Sequence, residues 1–94
     1  MPSVAPMEKP DLYVLARLLE RLWREDRPML RTHLQVAANL NFDVLTKYLE
    51  WMSERGWVEY QENGGHQMVS ITKMGRDVFA KLVQVMSEVL RRDP

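Results

Sequence analysis

The chain has 94 residues, enough for one domain with a small core, and no cysteine, which excludes disulfides and thiolate metal ligands. Its 13 lysines and arginines are balanced by 13 aspartates and glutamates, so its bulk charge carries no sign of a nucleic-acid partner. No apolar run approaches the roughly 20 residues that cross a bilayer, so a membrane is not an expected partner and the expected location is cytoplasmic.

Residues 1–10 contain three prolines and no continuous apolar core. They read as a flexible N-terminal tail ahead of a single domain over residues 11–92, and not as a signal peptide. Asp11, after Pro10, is placed to cap a first helix running to about Glu25. Leu12, Leu15, Leu18, Leu19 and Leu22 form its apolar stripe. Arg17, Arg21 and Arg24 fall on another face and read as a solvated row balanced by Glu20 and Glu25. Pro28 marks the break before helix two.

Thr32-His33-Leu34-Gln35 has capping-box spacing, in which the threonine oxygen accepts from an orphan amide and the glutamine reaches back. Helix two then carries Leu34, Ala37 and Ala38 inward and fails at Asn39-Leu40-Asn41. Asparagine caps helices and tolerates left-handed geometry, so this is a turn. Asn41 caps a third helix over residues 42–55, with Leu40 and Leu45 spaced for a hydrophobic staple. Leu45, Leu49 and Met52, flanked by Phe42 and Tyr48, define its buried face. Asp43, Thr46, Lys47, Glu50 and Glu54 are left outside.

Gly56 reads as a left-handed cap. A hairpin over residues 57–72 follows, with Trp57 to Gln61 outbound, Asn63-Gly64-Gly65-His66 at the tip, and Gln67 to Thr72 returning with Val69 and Ile71 inward. The last helix, residues 73–92, is expected to serve both core and dimer contact. Gly75, Phe79, Leu82, Met86 and Val89 keep a four-three-four-three spacing, and Val78, Val83, Val85 and Leu90 widen the apolar surface. More burial than one chain supplies favours a homodimer, with Phe79, Leu82, Val83, Val85, Met86, Val89 and Leu90 as its interface.

The predicted fold is mainly α with a small β-hairpin, in the order α-α-α-β-β-α with an extended C-terminal helix. Residues 32–79 resemble the archaeal winged-helix family of small predicted transcriptional regulators, some of which dimerise through a long C-terminal helix. The matching elements are Ala38-Asn39-Leu40-Asn41 at the turn, Tyr48-Leu49 and Met52 on helix three, Gly56-Trp57-Val58, and Ile71-Thr72 with Gly75. The resemblance implies double-stranded DNA as partner, helix three as the recognition helix, the hairpin as the wing, and homodimerisation.

On that reading Asn39, Asn41, Thr46 and Lys47 approach base edges or phosphates, with Asn63, His66 and Gln67 on the wing and Lys73 beyond it. A charge count opposes it, since phosphate neutralisation supplies most non-specific affinity. Residues 42–72 hold Lys47 and Arg55 against Asp43, Glu50, Glu54, Glu59 and Glu62, a net of minus three. The alternative is therefore a protein-interaction winged helix, whose acidic helix and wing dock a basic partner with Trp51 or Trp57 as an aromatic anchor.

Catalytic signals are sparse. His33 and His66 have no third ligand at recognisable spacing, and Ser53, Ser70 and Ser87 lack a nucleophile context. Gly64-Gly65 is too short to cradle a phosphate. No enzyme activity, metal or cofactor is expected.

Overall fold

A computed structural model describes residues 9–91. Its elements are α1 (Leu12–Glu25), β1 (Met29–Leu30), α2 (Arg31–Ala38), α3 (Phe42–Glu54), β2 (Val58–Asn63), β3 (His66–Ile71) and α4 (Lys73–Leu90). The expected tail lies outside the described residues up to residue 8, as does Arg92 at the expected end of the last helix.

Asp11 caps α1 as expected, its carboxylate accepting from the Tyr13 amide at 2.7 Å. Leu15, Leu18, Leu19 and Leu22 are buried, but Leu12 is 54% exposed. Leu12 stands at the first position of the helix and reaches a shallow groove against the last turns of α4 rather than the core.

The start of helix two differs from expectation. Met29 and Leu30 form a short strand, pairing with Val69 and Met68 of β3. This pairing places the helix start at Arg31, with Leu30 as N-cap and no side-chain cap bond, so the capping box at Thr32 does not form. Leu34 and Ala38 are buried on α2, whereas Ala37 is exposed. The inward pair is thus Leu34 and Ala38, four residues apart, and Ala37 falls beside it.

The turn between α2 and α3 is built by its asparagines. Asn39 takes φ 56° and ψ 50°, a left-handed conformation that asparagine adopts at lower cost than most residues. Its amide donates to the Val36 carbonyl at 3.1 Å while that of Leu40 donates to Gln35 at 3.2 Å, the two bonds of a Schellman motif. Two residues on, Asn41 caps α3 by accepting from the Val44 amide at 2.8 Å. Leu40 and Leu45, on either side of that cap, join one hydrophobic cluster.

α3 ends in a second Schellman motif. Gly56, at φ 76°, donates to the Ser53 carbonyl at 3.0 Å, and Trp57 donates to Met52 at 2.9 Å. The hydrophobic contact that accompanies this motif is an edge-to-face pair of Trp51 and Trp57, 5.2 Å between ring centroids.

β2 and β3 pair antiparallel with Val58 opposite Ile71, Tyr60 opposite Val69 and Asn63 opposite His66. Gly64 and Gly65 both have positive φ, as a two-residue hairpin turn of this kind requires. With β1 the sheet has three strands in the order β1-β3-β2. Val58, Val69 and Ile71 enter the core beside the leucines of α1, Leu34 and Ala38 of α2, and Leu45, Tyr48, Leu49 and Met52 of α3.

Thr72 then caps α4, accepting from the Gly75 amide at 3.0 Å while its hydroxyl donates to the Gly56 carbonyl at 2.5 Å. One side chain therefore joins the end of α3 to the start of α4. Phe79 packs against Trp23 of α1 at 5.8 Å between ring centroids. No helix among the described residues is long and apolar enough to cross a membrane.

Candidate nucleic-acid interface

α3 shows its apolar side to the core and leaves Asp43, Lys47, Glu50 and Glu54 exposed. The far half of the hairpin, from Gln61 to Gln67, is exposed without interruption. Between these two surfaces stands Arg31, the first residue of α2. Its guanidinium donates to the Thr46 hydroxyl of α3 at 2.9 Å and to the Gln67 side-chain oxygen of β3 at 2.6 Å. It also lies over the rings of Phe42 and Tyr60, at 5.3 and 5.8 Å from their centroids, within cation–π range. Arg31 is in none of the ion pairs of the described residues.

Burial of Tyr60 in this contact raises its hydroxyl above the ordinary tyrosine pKa. The Arg31 charge works in the opposite direction, and Glu50 adds to the rise.

Each sequence-predicted residue now has a place. Asn39 is exposed at the turn, and Asn41 has its side-chain oxygen committed to capping α3. Thr46 and Gln67 are brought together through Arg31. Lys47 is free on the exposed face, and Asn63 and His66 face each other across the hairpin tip. Lys73 begins α4, next to the Thr72 cap that holds Gly56 at the far end of α3. A helix of 13 residues is about 20 Å long, so Lys73 is set well apart from the turn at Asn41.

Sequence reasoning did not assign Arg31 its bridging role. The signal that points to it is an arginine directly after the apolar pair Met29-Leu30, which the sheet takes as a strand. The arginine row on α1 behaves as a solvated face, with Arg24 paired to Glu20 at 3.5 Å and Arg21 to Glu25 at 3.7 Å. Arg55 lies on the Trp51 ring at 3.6 Å and donates to the Trp51 carbonyl. Trp51 and Trp57 are thus already engaged with each other and with Arg55.

On α4, Phe79 and Leu82 pack against the chain's own core, and Met86 is half-buried. Val83, Val85, Val89 and Leu90 are exposed. Among the described residues, no cluster of three His, Asp or Glu side chains suits a metal ion.

Four helices, a turn shaped by two asparagines and a hairpin beside α3 form the framework of the domain. Residues 12–89 match the winged helix-turn-helix family. The chain belongs to that family.

Solved structures share the fold at low sequence identity. Sso10a-2, a DNA-binding protein from Sulfolobus solfataricus, is 17% identical with a TM-score of 0.72, covering 90% of this chain and all of that one. A winged-helix DNA-binding protein from STIV is 12% identical with a TM-score of 0.80, covering 92% of this chain and all of that one. The homodimeric winged helix-turn-helix DNA-binding domain of a possible ArsR-family transcriptional regulator from Mycobacterium bovis is 22% identical. Its TM-score is 0.65, with 81% of this chain and 68% of that one covered. No curated protein is similar in sequence.

Proposed function

We propose that the chain is a DNA-binding transcriptional regulator in which α3 enters the major groove and the wing lies along the phosphate backbone. The observation that carries this reading is the exposed polar side of α3 next to an exposed wing, with the unpaired cation of Arg31 between them. Structural neighbours described as DNA-binding proteins support it. The basic-partner reading rests on the acidic balance of residues 42–72, and those neighbours give it no support.

Lys47 is the exposed cation of α3 nearest its amino-terminal half, where helix-turn-helix proteins present side chains to base edges. Asn39, Asn63 and His66 complete the polar surface at the turn and the wing tip, with Lys73 apart from them.

The neighbour from Mycobacterium bovis is described as homodimeric, and the exposed apolar residues of α4 support a homodimer through this helix here. Its exposed Val85, Val89 and Leu90 line a groove with Leu12 and Tyr13 of α1, and Val83 is exposed elsewhere on the same helix. A twofold dimer through α4 would carry two copies of α3, the arrangement by which helix-turn-helix dimers read two half-sites.

Selection of bound sequences from a random duplex pool tests the function directly. A shared motif is expected from the wild type, and Lys47→Ala should weaken binding to it by roughly 1–3 kcal/mol if Lys47 touches a base. Failure to enrich any sequence, with no duplex bound even at low salt, rules the proposal out.

A further inference from the structure

The wing has little to hold its far half in place. Its base is anchored by Val58, Val69 and Ile71 in the core and by the two residues of β1, which pair with β3 at Val69 and Met68. Beyond that point every residue from Glu62 to Gln67 is exposed. A two-stranded ribbon without an apolar face is marginal in water and twists freely about its base. Among the described residues, the side-chain hydrogen bond from this far half to the helical body is that of Arg31 to Gln67.

The register explains why that bond falls where it does. Met29 pairs with Val69 and Leu30 with Met68, so the next antiparallel step sets Arg31 against Gln67. The backbone turns into α2 at that residue and the ladder stops. The two side chains continue the pairing in its place. Because a guanidinium presents donors in a planar fork, the same group also reaches Thr46 on α3, and the rings of Phe42 and Tyr60 flank it.

We propose that Arg31 is a positioning residue that latches the far half of the wing to α3 and so sets the spacing between the two DNA-reading surfaces. The latch is a property of the free protein, while its effect on readout rests on the DNA-binding function proposed above. With Thr46 and Gln67 both bound to one guanidinium, displacement of either is felt by the other. Sequence preferences read by helix and wing are then coupled.

The chain has no cysteine, so Glu54→Cys and Asn63→Cys accept two spin labels without background. Labelled chains diluted into unlabelled protein report the distance from α3 to the wing tip within one chain, even in a dimer. Arg31→Ala and Arg31→Lys should both broaden that distance distribution, the lysine because a point charge does not reproduce the fork. Gln67→Ala, a change at an exposed position, should broaden it as well and guards against a general loss of fold in the Arg31 variants. Unchanged distributions in all three overturn the latch, whether or not the protein binds DNA.

The second arm is duplex selection with Arg31→Lys. The variant keeps the charge, so the salt dependence of binding should match that of the wild type. Discrimination between the preferred duplex and a single mismatch should fall by roughly fivefold or more, the low end of what one base pair contributes. Wild-type discrimination by Arg31→Lys overturns the link to readout. A wild type that binds no duplex removes the DNA-binding function instead, and the distances still decide the latch.

Discussion

Gly75 stands where α4 passes closest to the junction of α3 and β2. A Cβ added there would lie 2.1 Å from the Trp57 carbonyl oxygen and 2.8 Å from the Ile71 side chain. The first of these is backbone, held by the Thr72 amide that donates to the same oxygen at 3.0 Å. It has no room to move unless α4 separates from the sheet. Gly75→Ala should therefore destabilise the fold by about 1–3 kcal/mol, the range of overpacked cores, although alanine is the better helix former. Urea midpoints for Gly75→Ala and for Ser87→Ala, an exposed site on the same helix, make the comparison. A Gly75→Ala midpoint equal to that of the wild type would show that the junction yields. The role of Tyr48 is also non-local, since its hydroxyl accepts from the Asp11 amide at 2.9 Å and ties the start of α1 to α3.

At the scale of elements, what could be read in advance was whatever a few consecutive residues decide. Asn39, Asn41, Gly56 and the Gly64-Gly65 tip each meet a local backbone demand, and each marks a boundary within a residue of its expected place. β1 was not legible, because two residues between Pro28 and a helix have no periodicity, and only pairing with β3 makes them a strand. The misplaced start of α2 and the bridge made by Arg31 follow from that same long-range pairing. On α4 the spacing of apolar residues correctly implied a broad apolar surface, but could not divide it. The structure gives Phe79 and Leu82 to the chain's own core and leaves Val85, Val89 and Leu90 beside Leu12 and Tyr13, around a groove of about 110 Å³. If this face joins two copies, Val85→Lys with Val89→Lys should convert a dimer into a folded monomer, since neither side chain is part of the core. Light scattering at micromolar concentration distinguishes the two states, and a wild type already monomeric there would sink the assembly.

At the scale of the whole molecule, the unusual property is a neutral chain whose expected docking surface is acidic. Residues 42–72, which span α3 and the wing, carry a net charge of minus three, so under the proposed function little of the affinity for DNA can come from neutralising phosphates. Wild-type binding should then depend only weakly on salt and rest on contacts at the turn, α3 and the wing tip. The sheet register makes the two wing carboxylates unequal. Glu62 lies opposite Gln67 and shares the Tyr60 face that meets Arg31, whereas Glu59 lies opposite Ser70 on the reverse face. A carboxylate beside the helix–wing junction opposes an approaching phosphate more strongly than one turned away, because unit charges about 4 Å apart interact by about 1 kcal/mol even in water. Glu62→Gln should accordingly tighten non-specific duplex binding at low salt by about threefold to tenfold, with Glu59→Gln doing less. Duplex titrations of both single variants over a range of salt concentrations measure this, with the gain shrinking as salt screens the charge. Equal effects from the two would place the backbone away from the Tyr60 face. Weaker duplex binding by Glu62→Gln would mean that the carboxylate itself contributes a contact, and that the acidic surface is part of the readout rather than an obstacle to it.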